Sequence, residues 1–336
     1  MSEISPIHMT SLAIGVDLGG TNLRAAVVDT SSGTVLASVR ADTPIHQGPP
    51  AIIDLIVELV QKVMTESGVT SVSLSAAGIG MPGLVDVERG MVILLPNIPG
   101  DWSQIPLGQI LSQRLGLSVR LINDARAITL AEWTNGAGQG TDSMACYAIG
   151  TGIGGGVVVG GRLHLGSGVA AGELGHQIVE LNGLRCNCGG HGCLEMYASG
   201  PAIAARGVQA VIQRQSMSIA VLAENDLNRV TASTVFQAAR EGDPCARAIL
   251  EEVGTYIGIA VSNTIHTLNP QRVVFGGGVM AAGELLMAPI RRTVREHVFL
   301  VPVQRVELVM AQLGDNAGLI GAAAWAQSKA GPVKAA

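Results

Sequence analysis

Residues 172–195, GELGHQIVELNGLRCNCGGHGCLE, limit this chain more than any other stretch. Cys186 and Cys188 form a Cys-x-Cys pair, Cys193 follows five residues later, and His176 stands ten residues upstream. Three thiols and an imidazole at that spacing suit one tetrahedral zinc ion. Four protein ligands leave no open position, so such a zinc is structural. Gly189, Gly190 and Gly192 let the chain wrap closely around an ion. His191 and His164 are alternative fourth ligands, and three buried free thiols are the competing reading. Glu173 and Glu195 flank the knot, which puts two carboxylates where they can grip a polar substrate.

The rest of the chain must build a scaffold around that knot. Its 336 residues allow two domains with cores of their own. With 48% apolar but only 3% aromatic residues, those cores rest on Ala, Val, Ile and Leu. The 44 glycines imply many tight turns or close approaches of backbone to ligand. A net charge of −5 without a basic stripe argues against nucleic acid as a partner. The opening MSEISPIHMT has Glu3 in place of a basic segment, so no signal peptide is expected. A long uncharged run, residues 143–161, contains seven glycines and reads as strand–turn–strand, not a membrane span. Clustered cysteines fit a reduced, cytoplasmic protein better than a disulfide framework.

Apolar runs at 12–17, 23–29 and 34–41 predict three strands joined by tight turns. The 3.6-residue spacing of Ile52, Leu55, Ile56, Leu59, Val60 and Val63 predicts a helix over 51–64. Further strands are expected at 71–79, 118–122, 144–149, 157–159, 271–275 and 304–310, with a hairpin or irregular segment at 84–95. Helices are expected at 106–115, 125–133, 193–214 with a break near Gly200-Pro201, 283–297 and 315–327. Asp243-Pro244 should open a long helix reaching about Leu268, since Asp caps and Pro suits the first turn. Residues 216–229 show weak periodicity and read as a surface insertion. Alternating strands and helices indicate an α/β layer fold. VDLGGTNLRAAVVD and IGTGIGGGVVVGG both read strand, glycine turn, strand, which suggests two related halves.

Several motifs carry chemistry. In DLGGTN, the N–H groups of Gly19, Gly20 and Thr21 can form an anion nest, Thr21 and Asn22 add donors, and Asp17 could hold Mg²⁺ through water. The same residues also suit an ordinary hairpin turn. Gly150, Gly152 and Gly155 satisfy G-x-G-x-x-G, but VVVGG follows where a dinucleotide site needs a helix, so a Rossmann site is excluded. A β-turn-β phosphate loop survives, with Thr151 as a donor. Gly276, Gly277 and Gly278, between strand and helix, allow a flat ligand against the backbone or simply make a tight connection. In INDA, Asp124 at a strand end can accept a proton from a hydroxyl, or Asn123 and Asp124 merely cap a helix. Glycine loops, a strand-end Asp and paired carboxylates together point to phosphoryl transfer from a nucleotide to a polyol.

Those motifs resemble the ROK family of sugar kinases and sugar-responsive repressors. DLGGTNLRAAVVD is similar to its first phosphate motif, AIGTGIGGGVVVGG to its second, GELGH with CNCGGHGCLE to its signature, and VVFGGGVM to its adenosine region. The likeness spans residues 15–321. It implies an actin-like ATPase (ribonuclease H-like) fold of two α/β domains flanking a cleft. The small domain would be residues 1–122, completed by a C-terminal helix at 315–336, and the large domain 123–314. The resemblance makes Asp124 the general base, and Gly83, Asn97, Asn123, Asp124, Glu173, His176 and Glu195 the sugar-binding set. Asp17, Gly19, Gly20, Thr21, Asn22, Arg24, Gly150, Thr151, Gly152, Gly276, Gly277 and Gly278 become nucleotide-binding. His176, Cys186, Cys188 and Cys193 become zinc ligands, with the second nitrogen of His176 facing sugar. ATP, Mg²⁺ and structural Zn²⁺ are implied, as is a homodimer or higher homo-oligomer. The family loop usually runs Asn-x-Pro-Gly-Trp; here it is NIPGDW, with Asp101 inserted before Trp102.

The expected activity is transfer of phosphate from ATP to the 6-hydroxyl of a hexose, glucose first. N-acetylmannosamine, N-acetylglucosamine, mannose and fructose are alternatives. A sugar-responsive transcription factor would carry a helix-turn-helix ahead of the first phosphate motif, and about ten residues precede the first strand. A zinc hydrolase or dehydrogenase would need an open zinc position.

Overall fold

The computed structural model describes residues 11–74, 76–96 and 98–328. In chain order the elements are β1 (Leu12–Leu18), β2 (Asn22–Asp29), β3 (Thr34–Asp42), α1 (Gly48–Ser67), β4 (Ala77–Met81), β5 (Leu84–Asp86), β6 (Met91–Leu94), α2 (Leu107–Leu115), β7 (Val119–Asn123) and α3 (Asp124–Asn135). They continue with β8 (Met144–Ile149), β9 (Ile153–Val158), α4 (Glu195–Ala198), α5 (Gly200–Ile212), α6 (Met217–Leu222), α7 (Ala232–Arg240), α8 (Pro244–Leu268), β10 (Arg272–Gly276), α9 (Glu284–His297), β11 (Glu307–Met310) and α10 (Ala317–Gln327).

The chain forms two compact units. The first holds the described residues up to Gln139, with Leu165–Ala171 and the described residues from Asp315 onward; the second holds Gly140–His164 and Gly172–Gly314. The helix after residue 123, which the sequence reading assigned to the large domain, falls in the first unit. Its backbone packs against α10, where the carbonyl of Ala127 lies so close to Gly321 that no side chain fits between them.

In the first unit the sheet runs β3-β2-β1-β4-β7, with β1–β2 and β2–β3 antiparallel and the other pairs parallel. The two-residue period of β1 decides what covers each face. Ile14, Val16 and Leu18 join Ile52, Ile56, Val60 and Val63 of α1 in one apolar core. The opposite face presents Ala13, Gly15 and Asp17. There α10 lies almost on the backbone: a Cβ at Gly15 would meet the Leu319 carbonyl oxygen at 2.0 Å, and one at Gly78 the Ala322 oxygen at 1.8 Å. An Ala- and Gly-rich helix against glycines in the sheet is what permits that approach.

In the second unit the order is β11-β10-β8-β9, again with one antiparallel pair, β8–β9, and parallel pairs beyond it. This repeats the order and sense of β7-β4-β1-β2, in keeping with two related halves. Tyr147 and Phe275 stack at 5.9 Å in a core that α5, α7, α8 and α9 complete.

Four local expectations change. Residues 71–79 are not one strand: Ser71–Ser73 make a 3-10 turn, and the strand begins at Ala77, where pairing with Ile14 of β1 begins. Strand β9 starts at Ile153 because Gly154, Gly155 and Gly156 pair with Ala148, Tyr147 and Cys146. Residues 216–229 are no loose insertion. Met217–Leu222 is helical, Ile219 and Ala223 are buried in the second core, and the Ser216 hydroxyl donates to Asp243 Oδ2 at 2.8 Å. A six-residue helix is too short for periodicity to show. Strand β11 shrinks to Glu307–Met310 behind a 3-10 turn. Helix α7 escaped the sequence reading, although Thr231 and Thr234 form a capping box ahead of it.

Candidate functional site

In the first unit, β7 ends at Asn123 and α3 begins at Asp124 without a linker. The capping reading of INDA holds, with Asp124 as the first residue of the helix that Asn123 caps. Asn123 Oδ1 accepts the Arg126 N–H at 3.2 Å as the helix cap, and its amide donates to the Gly83 carbonyl at 3.1 Å and to Asp124 Oδ1 at 3.0 Å. Asp124 Oδ1 also accepts the Ala125 N–H at 2.7 Å. One amide side chain therefore orients the carboxylate and ties it to the turn after β4. Gly83 has φ +83°, and a Cβ there would meet the Leu94 oxygen at 2.1 Å, so only glycine fits. Asn97 lies outside the described residues. Asp101 is exposed, and its carboxylate accepts the Ser103 N–H at 3.1 Å, so the inserted residue caps its own turn.

Asp17 lies on the α10 face of β1, and its carboxylate sits 3.0 Å from where a Cβ on Gly318 would be, at the first turn of α10. Burial pushes its pKa up to about 6, the nearby charge of Asp124 adds to the rise, and Arg24 opposes it. Arg24 is the cross-strand partner of Asp17. Its guanidinium donates to the Asp315 carbonyl and, at 2.9 Å, to Asn316 Oδ1, so it grips the start of α10. In DLGGTN the Gly19 N–H is spent on the Asn22 carbonyl at 2.9 Å, which takes it out of the expected anion nest. The N–H groups of Gly20 and Thr21 have no partner among the described residues. Thr43, which the sequence reading missed, braces this turn: its Oγ1 donates to the Gly19 oxygen at 2.8 Å and its N–H to the Thr21 oxygen at 2.9 Å. No local signal marks a threonine on the far side of two strands.

In the second unit the glycine loop at 150–152 and the glycines at 276–278 are neighbours. Gly277 has φ +90°, and a Cβ there would meet the Ile149 oxygen at 2.3 Å, so its backbone rests on the end of β8. Thr151 is exposed at the tip of the loop. Glu195 opens α4 and reaches back to this loop, where its Oε2 accepts the Ile153 N–H at 2.8 Å. Glu173 precedes the 3-10 turn Leu174–His176, which presses on β9; a Cβ on Gly175 would meet the Ile153 oxygen at 2.0 Å.

The knot closes as its spacing implies. His176, Cys186, Cys188 and Cys193 bring one donor atom each within 4.8 Å of one another. Cys188 Sγ lies 3.6 Å from Cys193 Sγ, and Cys186 Sγ lies 3.7 Å from His176 Nδ1. A tetrahedron of zinc–sulfur bonds of about 2.3 Å has edges of about 3.8 Å, so the donor set fits zinc. His164 and His191 are exposed and do not join the cluster. Burial pushes the Cys186 thiol up and the Cys193 thiol up to about 12, whereas the Gly190 N–H lowers Cys188. Beside the knot, Gln177 donates to Thr264 and accepts from Tyr147, a buried network that roots the turn on α8.

The sequence profile described as "ROK family" matches residues 13–329. The chain belongs to the ROK family. It is 39% identical to a glucokinase of Thermotoga maritima over 95% of this chain and 98% of that one. It is 36% identical to a glucokinase of Streptomyces coelicolor over 93% of this chain and 96% of that one. Among solved structures, a ROK family glucokinase from Streptomyces griseus, in complex with glucose and AMPPNP, matches with a TM-score of 0.81. That pair shares 36% identity and covers 94% of this chain and 99% of the other. The fold is the actin-like ATPase fold that the motifs implied. No helix among the described residues is long and apolar enough to cross a membrane.

Proposed function

We propose that this ROK protein is an ATP-dependent glucokinase that transfers the γ-phosphoryl group to the 6-hydroxyl of glucose. The observation that carries this reading is the Gly83–Asn123–Asp124 arrangement, a carboxylate aimed by two hydrogen bonds at the end of a parallel strand. It is supported by relatives called glucokinases and by the glucose and AMPPNP complex of one of them.

Asp124 takes the proton of the 6-hydroxyl as that oxygen attacks phosphorus. The leaving group is ADP, and the proton stays on the Asp124 carboxylate until solvent removes it. Asn123, Glu173, His176 and Glu195 hold the remaining sugar hydroxyls. The loops at 19–22, 150–152 and 276–278 hold the nucleotide. Asp17 would hold Mg²⁺ through water, and the ion would supply positive charge against the phosphates. The four knot residues would hold zinc as a brace: Nδ1 of His176 faces the thiols, so ligation fixes the tautomer and leaves Nε2 to donate to sugar. The protein works in the cytoplasm as a homodimer or higher homo-oligomer.

A coupled ADP-release assay over glucose, mannose, fructose, N-acetylglucosamine and N-acetylmannosamine tests the substrate. In Asp124→Asn, turnover with glucose falls by about 10²- to 10⁴-fold while glucose still binds. Unchanged turnover would remove Asp124 from the reaction.

A further inference from the structure

Helix α4 is pinned at both ends to the glycine loop ahead of β9. At its start, Glu195 Oε2 accepts the Ile153 N–H at 2.8 Å. Just past its end, the Gly200 N–H donates to the Gly150 carbonyl at 2.8 Å. Between those two anchors, a Cβ at Gly152 would lie 2.5 Å from Glu195 Oε2, so the loop and the carboxylate are in van der Waals contact. No other hydrogen bond engages this carboxylate among the described residues, which leaves Oε1 available.

We propose that Glu195 is a positioning residue for the nucleotide loop as well as a sugar ligand. One oxygen holds the Ile153 N–H and the other accepts a sugar hydroxyl, so hexose and nucleotide bind with positive coupling through a single side chain. This rests on the glucokinase reading for the identity of the two ligands, whereas the tie between Glu195 and Ile153 stands on geometry alone. The physical case is short. A loop of glycines has more backbone freedom to lose than any other sequence. A charge-assisted hydrogen bond at its end removes part of that freedom before phosphate arrives. A hydroxyl on Oε1 restricts the carboxylate further and steadies the loop. Linkage makes the effect reciprocal: bound nucleotide tightens sugar by the same factor.

The test uses Glu195→Ala, Glu195→Gln, Glu195→Asp and Gly152→Ala in the full chain. Amide exchange at Ile153 is read in the unliganded protein. AMPPNP affinity is read by calorimetry without sugar, and glucose affinity without nucleotide. Glu195→Ala and Glu195→Asp should speed exchange at Ile153 and weaken AMPPNP about tenfold, the loss of one charge-assisted hydrogen bond. Glu195→Gln keeps an acceptor at the same reach and should hold most of both. A general folding defect would not rank Gln above Asp, which keeps the charge but falls one methylene short. Gly152→Ala, a change in the nucleotide loop, should weaken glucose about tenfold because its methyl displaces the carboxylate. Unchanged exchange at Ile153 in Glu195→Ala, or sugar-free AMPPNP affinity equal to that of the unmodified protein, overturns the proposal. If the unmodified protein binds no hexose, the glucokinase reading fails, and the exchange at Ile153 still decides the tie.

Discussion

Asp17→Asn should make the protein's stability less sensitive to pH, in a direction and amount that follow from where Asp17 sits. Its carboxyl is pushed from the ordinary 3.8 to about 6, chiefly by burial against the first turn of α10 and next by the charge of Asp124. The folded protein therefore binds this proton more tightly than the unfolded chain does. The stabilisation is full below about pH 4 and is lost as pH rises through 6. A shift from 3.8 to about 6 corresponds to about 3 kcal/mol between the two limits. Most experiments cannot reach the lower limit. From pH 4.5 to pH 7.5 the native protein should lose about 2 kcal/mol through this group. An amide has no such titration. The stability of Asp17→Asn minus that of the unmodified protein should therefore grow by about 2 kcal/mol over that interval, whatever its starting value. Urea unfolding without metal or nucleotide, at several pH values, measures it. The same variant should lose turnover. A stability difference that stays flat, or shrinks as pH rises, would show that Asp17 does not carry a buried charge at neutral pH.

Metal analysis should find one zinc per chain, and Cys193→Ser should lose it together with stability and sugar affinity. Because burial raises the Cys186 and Cys193 thiols, zinc must displace their protons, so its affinity should fall as pH drops. Competition with a chromogenic chelator across pH 6–8 reads that slope. Asn123→Ala removes the α3 cap and should destabilise by about 1 kcal/mol. It should also lower kcat more than that loss explains, because Asp124 loses the amide that aims it; an unchanged kcat would contradict that role. Gly277→Ala, strained by its φ and by contact with Ile149, should destabilise by several kcal/mol in thermal unfolding, of the order seen for the most disruptive substitutions.

Much of this protein was legible in its sequence, and the reason is physical. Period-2 and period-3.6 patterns, an Asp-Pro helix start and a Cys-x-Cys pair are local, and local chemistry settles them. β1, β2, α1 and α8 lie where their spacing puts them, Asn123 caps the helix its side chain suits, and the knot gathers the four residues its spacing implies. Patterns shorter than their own period did not register, as in the six-residue α6. Glycines at 154–156 looked like breakers and are strand, because pairing with β8 outweighs their weak intrinsic preference.

What only the tertiary structure decided is which partner each group meets across long stretches of chain. Sequence patterns assigned Asp17, Arg24 and Glu195 to ligand binding without showing which protein groups each would touch. Folding brought α10 against β1, so Arg24 holds the start of that helix and Asp17 is buried beside it. The bracing of the DLGGTN turn by Thr43 and the grip of Glu195 on Ile153 came the same way. Each of these contacts joins elements that are not adjacent in sequence, and a pattern that repeats every two or four residues carries no record of which distant element will cover it.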